Sequence, residues 1–222
     1  TVDDAIIDPE WFDACIDAHV KLGIKPRGKK ILTHDPSDVG EDPSAECIRH
    51  GVVITHLDEY DKKDVNDNCD VATDKAINEQ VDQFTWDGDG LGSSLKRQVM
   101  SAMDGKTIDV EMFKGSEGPD RPDDKYQGDQ LSDGKNSRTN KNTFKNKRAQ
   151  YYAALRDRCY NTYRAVTKGE YVDPDDLISF SSEIKKIKKL RSELCRIPKK
   201  PSGNGLFIVM TKKEIRDKYK LK

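Results

Sequence analysis

Two apolar runs in this chain each stop dead at an aspartate. The first, Ile31-Leu32-Thr33-His34-Asp35, runs into Pro36, with Gly40 and Pro43 close behind. The second, Val81-Asp82-Gln83-Phe84-Thr85-Trp86-Asp87, runs into Gly88-Asp89-Gly90-Leu91-Gly92. Proline removes a backbone donor and clustered glycines favour turns, so neither run continues as a regular element past its acid. Each acid is therefore held at the end of a short strand. The stretch between the runs is long enough for further strands and a crossover helix, which a parallel pairing requires. Such a pairing brings Asp35 and Asp87 side by side.

The other segments arrange themselves around that pair. Asp8-Pro9-Glu10-Trp11 is a helix start, with Asp as N-cap and Pro at the first helical position; Trp11, Phe12, Cys15, Ile16 and Val20 then recur at helical spacing as far as Gly23. Strands are predicted at Lys29–His34, Ala45–His50 and Val52–Leu57, with a turn at His50-Gly51. Asp67–Gln80 has a helical period, with Val71, Ala72, Ala76 and Ile77 on one side, and leads into the strand Val81–Trp86. Leu91–Met103 is again helical and Lys106–Phe113 is a further strand. This order is similar to that of the ribonuclease H-like (integrase-like) fold. The predicted class is therefore α/β, a mixed sheet flanked by helices on both faces.

Beyond the last of these strands the character of the chain changes. Residues 114–141 are dominated by Gly, Pro, Asp, Ser and Asn and read as a long functional or mobile surface loop. Asn142–Ala165 is predicted to be the longest helix, with Phe144, Ala149, Tyr152 and Leu155 on an apolar side and Lys145, Lys147 and Arg148 on a basic one. Asp173-Pro174 starts a short turn, Glu183–Ile197 a further helix and Gly205–Met210 an edge strand.

A chain of 222 residues with 34% hydrophobic content can bury one substantial core. Its 39 basic and 40 acidic residues cancel to a net charge of −1, but they are unevenly placed. Acids crowd the first half and the stretch around Asp120 to Asp133, whereas Lys141–Arg164 and Lys185–Lys200 are basic. One face suits a metal and the other a polyanion. The five cysteines are odd in number and lack zinc-site spacing, so they read as free thiols in a reducing compartment. Neither a signal peptide nor a run of 18 apolar residues is present, which argues against secretion and membrane spanning. The chain contains no Gly-x-Ser-x-Gly elbow and no Gly-x-x-x-x-Gly-Lys-Ser/Thr loop, so neither serine hydrolysis nor ATP binding is expected.

Hydrolysis of a phosphodiester requires charge neutralisation on the attacking water and on the departing oxygen, and two divalent cations roughly 3.5–4 Å apart supply it. Mg²⁺ or Mn²⁺ held by a few carboxylates from different strands is sufficient. Asp35 and Asp87 are the candidate pair; the competing reading is that both serve as turn residues, since Asp before Pro or Gly hydrogen-bonds its own backbone. Asp38 and Asp42 read as turn residues rather than ligands, though one could reach a metal through water, and the same holds for Asp89, two residues past Asp87, which stays a candidate auxiliary ligand. Asp109 and Glu111, two apart on one strand, share a face and are auxiliary ligands if that face is the metal's, solvent-facing otherwise. His34 alternates to the opposite side from Asp35 and reads as structural; His19, His50 and His56 show no spacing suited to a metal.

His34-Asp35-Pro36-Ser37-x-x-Gly40-x-Asp42, Trp86-Asp87-Gly88-Asp89-Gly90-x-Gly92 and Phe144-Lys145-Asn146-Lys147-Arg148-Ala149-Gln150-Tyr151-Tyr152 together resemble the nuclease domain of the large terminase subunit of tailed bacteriophages. The opening Ile7-Asp8-Pro9-Glu10-Trp11 resembles the segment that joins the motor half to that nuclease. The resemblance implies a ribonuclease H-like endonuclease that cuts concatemeric double-stranded viral DNA when packaging starts and when the head is full. Its first two acidic ligands fall on Asp35 and Asp87. It also implies that residues 1–28 are a helix and linker toward an ATPase domain of the same polypeptide, with the nuclease over 29–222. The family's third acidic ligand is expected beyond Lys222, and Asp217 is not reassigned to it. Portal protein and small terminase subunit are the implied partners, at the procapsid in the host cytoplasm.

Lys145, Lys147, Arg148, Lys185, Lys186, Lys188 and Lys189 are the candidate phosphate contacts, able to bind duplex DNA without reading sequence. Solvated helix faces are the plain alternative for these charges. Two other functions share the same features: a non-catalytic DNA- or portal-binding module, and a structure-specific resolvase on the same fold.

Overall fold

A computed structural model of the chain describes residues 5–38, 43–60, 64–126, 138–200 and 202–219. In chain order it contains α1 (Pro9–Cys15), α2 (Ala18–Lys21), β1 (Lys30–Asp35), β2 (Ser44–His50), β3 (Val53–Tyr60), α3 (Val65–Asn78), β4 (Gln83–Asp87), a 3-10 turn (Gly90–Leu95), α4 (Lys96–Ala102) and β5 (Asp109–Phe113). There follow α5 (Asn140–Thr143), α6 (Lys147–Lys168), a second 3-10 turn (Pro174–Asp176), β6 (Ser179–Phe180), α7 (Ile187–Leu194), β7 (Lys199–Lys200), β8 (Ile208–Val209) and α8 (Lys212–Tyr219). Contacts group these into two compact units, a division that hydrophobic content by itself does not carry. One is Ile16–Lys114 with Ile178–Lys186; the other is the described part of Thr1–Cys15, Gly115–Leu177 and Ile187–Lys222.

The first unit is built on a mixed sheet with strand order β5-β4-β1-β2-β3-β6. β1, β2 and β3 form an antiparallel meander, while β4 runs parallel to β1 and β5 parallel to β4. Strand alternation sends Leu32, Ile48, Phe84 and Trp86 to one side. There they bury against Cys69, Ala72 and Ala76 of α3 and against Leu95, Val99 and Met103. Each such large apolar side chain contributes roughly 1.5–3 kcal/mol. Asp64 caps α3 by accepting the Asn66 N–H at 2.8 Å. β5 starts at Asp109 rather than Lys106 because the chain is still turning at Gly105, whose φ is 67°. The helix predicted over Leu91–Met103 is divided, its first part wound into the 3-10 turn.

In the second unit α1 packs along α6, with Phe12 and Cys15 buried and Trp11 against Tyr160 at 4.8 Å between rings. The opening helix ends at Cys15 instead of reaching Gly23, since Asp17 adopts a left-handed φ of 52°. The helix predicted from Asn142 is likewise two helices. Phe144 between them is extended and buried, edge-on to Tyr126 and Phe207 at 4.8 and 6.2 Å. Asn146 restarts the helix as N-cap, accepting the Ala149 N–H at 3.0 Å, and Gly169 in the left-handed region closes it. Of the predicted loop 114–141, residues 127–137 lie outside the described residues. The described part is tied to the start of α6, the carbonyls of Gly115 and Glu117 accepting the N–H groups of Arg148 and Lys147 at 2.9 and 2.8 Å. The predicted helix Glu183–Ile197 shortens to α7, and the predicted edge strand reduces to β8 paired with β7.

Candidate metal centre

Asp35 ends β1 and Asp87 ends β4. The parallel register runs Ile31 with Gln83, Leu32 with Phe84, Thr33 with Thr85 and His34 with Trp86. One further step places Asp35 beside Asp87. Because side chains alternate, both project to the face that also carries Thr33, Thr85 and Glu111. Neighbouring strands are separated by about 4.8 Å, so the two carboxylates leave adjacent backbone positions on one face. That is the arrangement from which a cation can be shared.

The strand ends are fixed from several directions. Asp87 accepts the Asp89 N–H at 2.9 Å, and Gly88 donates to the Phe113 carbonyl at 2.6 Å. The Trp86 indole N–H donates to the Gly92 carbonyl at 2.8 Å, folding the 3-10 turn back over β4. After Asp35 the chain is held at Ser37, whose N–H donates to the Ser44 hydroxyl at 2.9 Å and whose carbonyl accepts from the Asn68 amide at 3.2 Å.

The remaining predicted ligands separate on inspection. Glu111 stands opposite Thr85, one step of the same face behind Asp87, and accepts from the Gln83 amide at 2.7 Å. Asp109 lies opposite Gln83 at the start of β5 and pairs with Lys29 at 2.9 Å. Four residues along a strand is about 13 Å, so Asp109 is too far from Asp87 to share its ion. Asp89 sits in the turn directly after Asp87, half-buried. Asp42 lies outside the described residues. Among the described residues no group of three or more His, Cys, Asp or Glu side chains is placed to hold a metal. Asp35 and Asp87 are hard carboxylates, the ligand type that Mg²⁺ and Mn²⁺ take beside several waters.

His34 is on the core side, 2% exposed, and neither ring nitrogen makes a hydrogen bond of normal geometry. Burial lowers its pKa to about 4, against weaker opposing pulls from the Ala45 backbone and the Glu46 carboxylate. Glu46, opposite His34 on β2 and itself buried, is partnered by Lys75, Tyr60 and His56. This network, which motif reading missed, fastens α3 and β3 to β2 on the side away from Asp35. Its residues are scattered through the sequence, and no spacing announces them.

The basic candidates are not equivalent. Lys147 is engaged by Asp120 at 3.0 Å and Glu117 at 3.4 Å, and the Asp120 hydrogen bond chiefly raises its pKa. Lys186 pairs with Glu59 at 2.9 Å and Lys189 with Glu193 at 3.7 Å. Arg148 lies over the Tyr152 ring at 5.8 Å. Lys145, Lys185 and Lys188 are exposed.

Among solved structures, the chain is similar to the nuclease domain of the large terminase subunit gp2 of bacterial virus Sf6, at 46% identity and TM-score 0.89, covering 98% of this chain and 92% of that one. A lysine-to-alanine mutant of the Sf6 domain, solved with manganese and β-thujaplicinol, matches at 45% identity and TM-score 0.90 with the same coverage. The same mutant with calcium matches at 45% and 0.89, again over 98% and 92%. No protein-family model and no curated protein matches the chain.

Proposed function

This chain belongs to the nuclease domains of phage large terminase subunits, and from that premise we propose that Asp35 and Asp87 are the carboxylates through which it binds metal and cuts DNA. The domain is a metal-dependent endonuclease of viral DNA packaging. The observation that carries the assignment is the register: two parallel strands that end in step, each on an aspartate, on one face of the sheet. Mg²⁺ or Mn²⁺ held there by Asp35 and Asp87 would supply Lewis-acid stabilisation of the phosphate and favour loss of a proton from the attacking water. Asp35 and Asp87 bring the negative charge that retains the cations, and their short strands and pinned turns hold the two oxygens in a fixed relation. Glu111, one step behind, adds negative charge to the same face. Lys145, Lys185 and Lys188 meet the duplex backbone, where charge without base contacts gives binding of little sequence preference.

The finer assignments extend this reading. Cutting at initiation and at headful termination, two cations rather than one, and partnership with the portal and the small subunit in the host cytoplasm belong to it. So does the role of residues 1–28 as the link to a preceding ATPase domain. The test is nicking and linearisation of supercoiled plasmid with Mn²⁺ or Mg²⁺. Asp35→Asn and Asp87→Asn lose activity by at least about 100-fold, as expected when a group required in the transition state is removed. Cutting at the parental rate by either variant refutes the assignment.

A further inference from the structure

The turns that follow Asp35 and Asp87 are held by side chains that do not face the metal. Ser44 is fully buried at the start of β2, and its hydroxyl accepts the Ser37 N–H at 2.9 Å and lies 3.1 Å from the Ser37 hydroxyl. Asn68, fully buried on α3, donates its amide to the Ser37 carbonyl at 3.2 Å. Ser37 is two residues past Asp35, so both backbone polar groups of that residue, in the peptide units on either side of it, are tied to elements of the rigid core. On the other strand, Gly92 packs so closely on the Asp87 carbonyl that a Cβ there would lie 1.7 Å from its oxygen. The same Cβ would lie 3.2 Å from Pro36, the residue after Asp35. Gly92 is thus wedged between the exits of both strands, and the Trp86 indole holds it there by its carbonyl.

We propose that Ser44, Asn68 and Gly92 are positioning residues that set the separation of the Asp35 and Asp87 carboxylates. The inference rests on the metal reading of those two acids. A cation that keeps near-ideal octahedral geometry tolerates little change in the spacing of its ligands. Groups that orient ligands from behind typically govern affinity by 10–100-fold without touching the ion. Ser44 and Asn68 restrain the Asp35 side, Gly92 couples it to the Asp87 side, and loosening either leaves both acids present but badly spaced.

Mn²⁺ binding, read from the loss of the free-ion paramagnetic resonance signal, tests this alongside the metal-free melting temperature. The variants are Ser44→Ala, Asn68→Ala and Gly92→Ala, with Val53→Ala in β3 as a core control. Asp35→Asn first establishes the reading: if it binds Mn²⁺ like the parent, the metal assignment falls and the positioning claim with it. Given its loss of binding, Ser44→Ala and Asn68→Ala are expected to raise the Mn²⁺ dissociation constant about tenfold or more. Val53→Ala lowers the melting temperature at unchanged affinity. Plasmid cutting by the first two recovers at saturating Mn²⁺, which a fold defect does not permit. Parental affinity in both Ser44→Ala and Asn68→Ala overturns the proposal whatever Gly92→Ala does. So does an affinity loss that Val53→Ala reproduces.

Discussion

His34 and Asp35 are consecutive and face opposite ways, one into the core and one to the proposed metal face. Alternation along a strand is the whole cause. The imidazole is held neutral by burial, with a pKa of about 4 in the fold against about 6.5 in an unfolded chain. Between those values the unfolded state binds the extra proton, so stability is full above about pH 6.5 and falls as the pH drops toward 4. A shift of this size corresponds to about 3 kcal/mol. Denaturant melts in chelator at pH 7 and pH 4.5 check it. The parent loses stability across this window, and His34→Leu, lacking the group that must take up a proton, shows a shallower dependence. Equal slopes contradict the burial argument. At the same scale the Asp35 and Asp87 assignment stands or falls with the Asn substitutions, since each replaces a charged ligand by a near-isostere.

At the scale of elements, α3 is held to the sheet in two ways. Cys69, Ala72 and Ala76 bury against β1, β2 and β4, and Lys75 pairs with the buried Glu46. Removing one partner of a buried ion pair leaves an uncompensated charge and typically costs about 3–5 kcal/mol. Lys75→Ala is therefore expected to lower stability at pH 7.5 by an amount near that range, measured by urea unfolding, and Glu46→Gln with Lys75→Met together to recover much of it. A loss below about 1 kcal/mol means the pair behaves as a surface salt bridge. The elements also show where period alone is informative. α3, β1 and β4 are long enough to display alternation or a helical face, and most of their apolar residues fall where that period places them; Val71, predicted on the apolar side of α3, is exposed instead. β6 and β7 contain two residues each, too few to carry any period, and they form only because a neighbouring strand offers its edge. The break at Phe144 is invisible to a helical count because its ring satisfies the apolar face either way. The ring is drawn between Tyr126 and Phe207, and the backbone extends to let it.

For the molecule as a whole, nearly equal numbers of acids and bases conceal a separation by sequence that the fold partly undoes. Lys147, Lys186 and Lys189 are basic in the sequence and neighbours of carboxylates in three dimensions. Duplex binding is therefore expected to depend more on Lys145, Lys185 and Lys188. Each phosphate contact contributes about 0.9 to the slope of log affinity against log salt. Alanine at Lys145, Lys185 and Lys188 together lowers that slope by about 2 to 3, while alanine at Lys147, Lys186 and Lys189 together leaves it near the parental value. Fluorescence anisotropy with a short duplex at several salt concentrations separates the two sets, and equal effects refute the division.

The sequence by itself determined the main order of strands and helices from β1 to β5, the fold class, the two strand-terminal aspartates and the core side of His34. These follow from local chemistry: proline and glycine stop a strand where they stand, and alternation assigns faces without reference to anything distant. The resemblance of four short motifs, in order along the chain, was enough to indicate the family. Only the tertiary structure decided that Asp109 pairs with Lys29 far from Asp87, that Lys147 is occupied by Asp120, and that Ser44, Asn68 and Gly92 grip the strand exits. Each of those depends on residues far apart in the chain meeting at a few ångströms. No spacing or composition encodes such a meeting; it is set by the register of the sheet and the packing of α3 and the 3-10 turn against it.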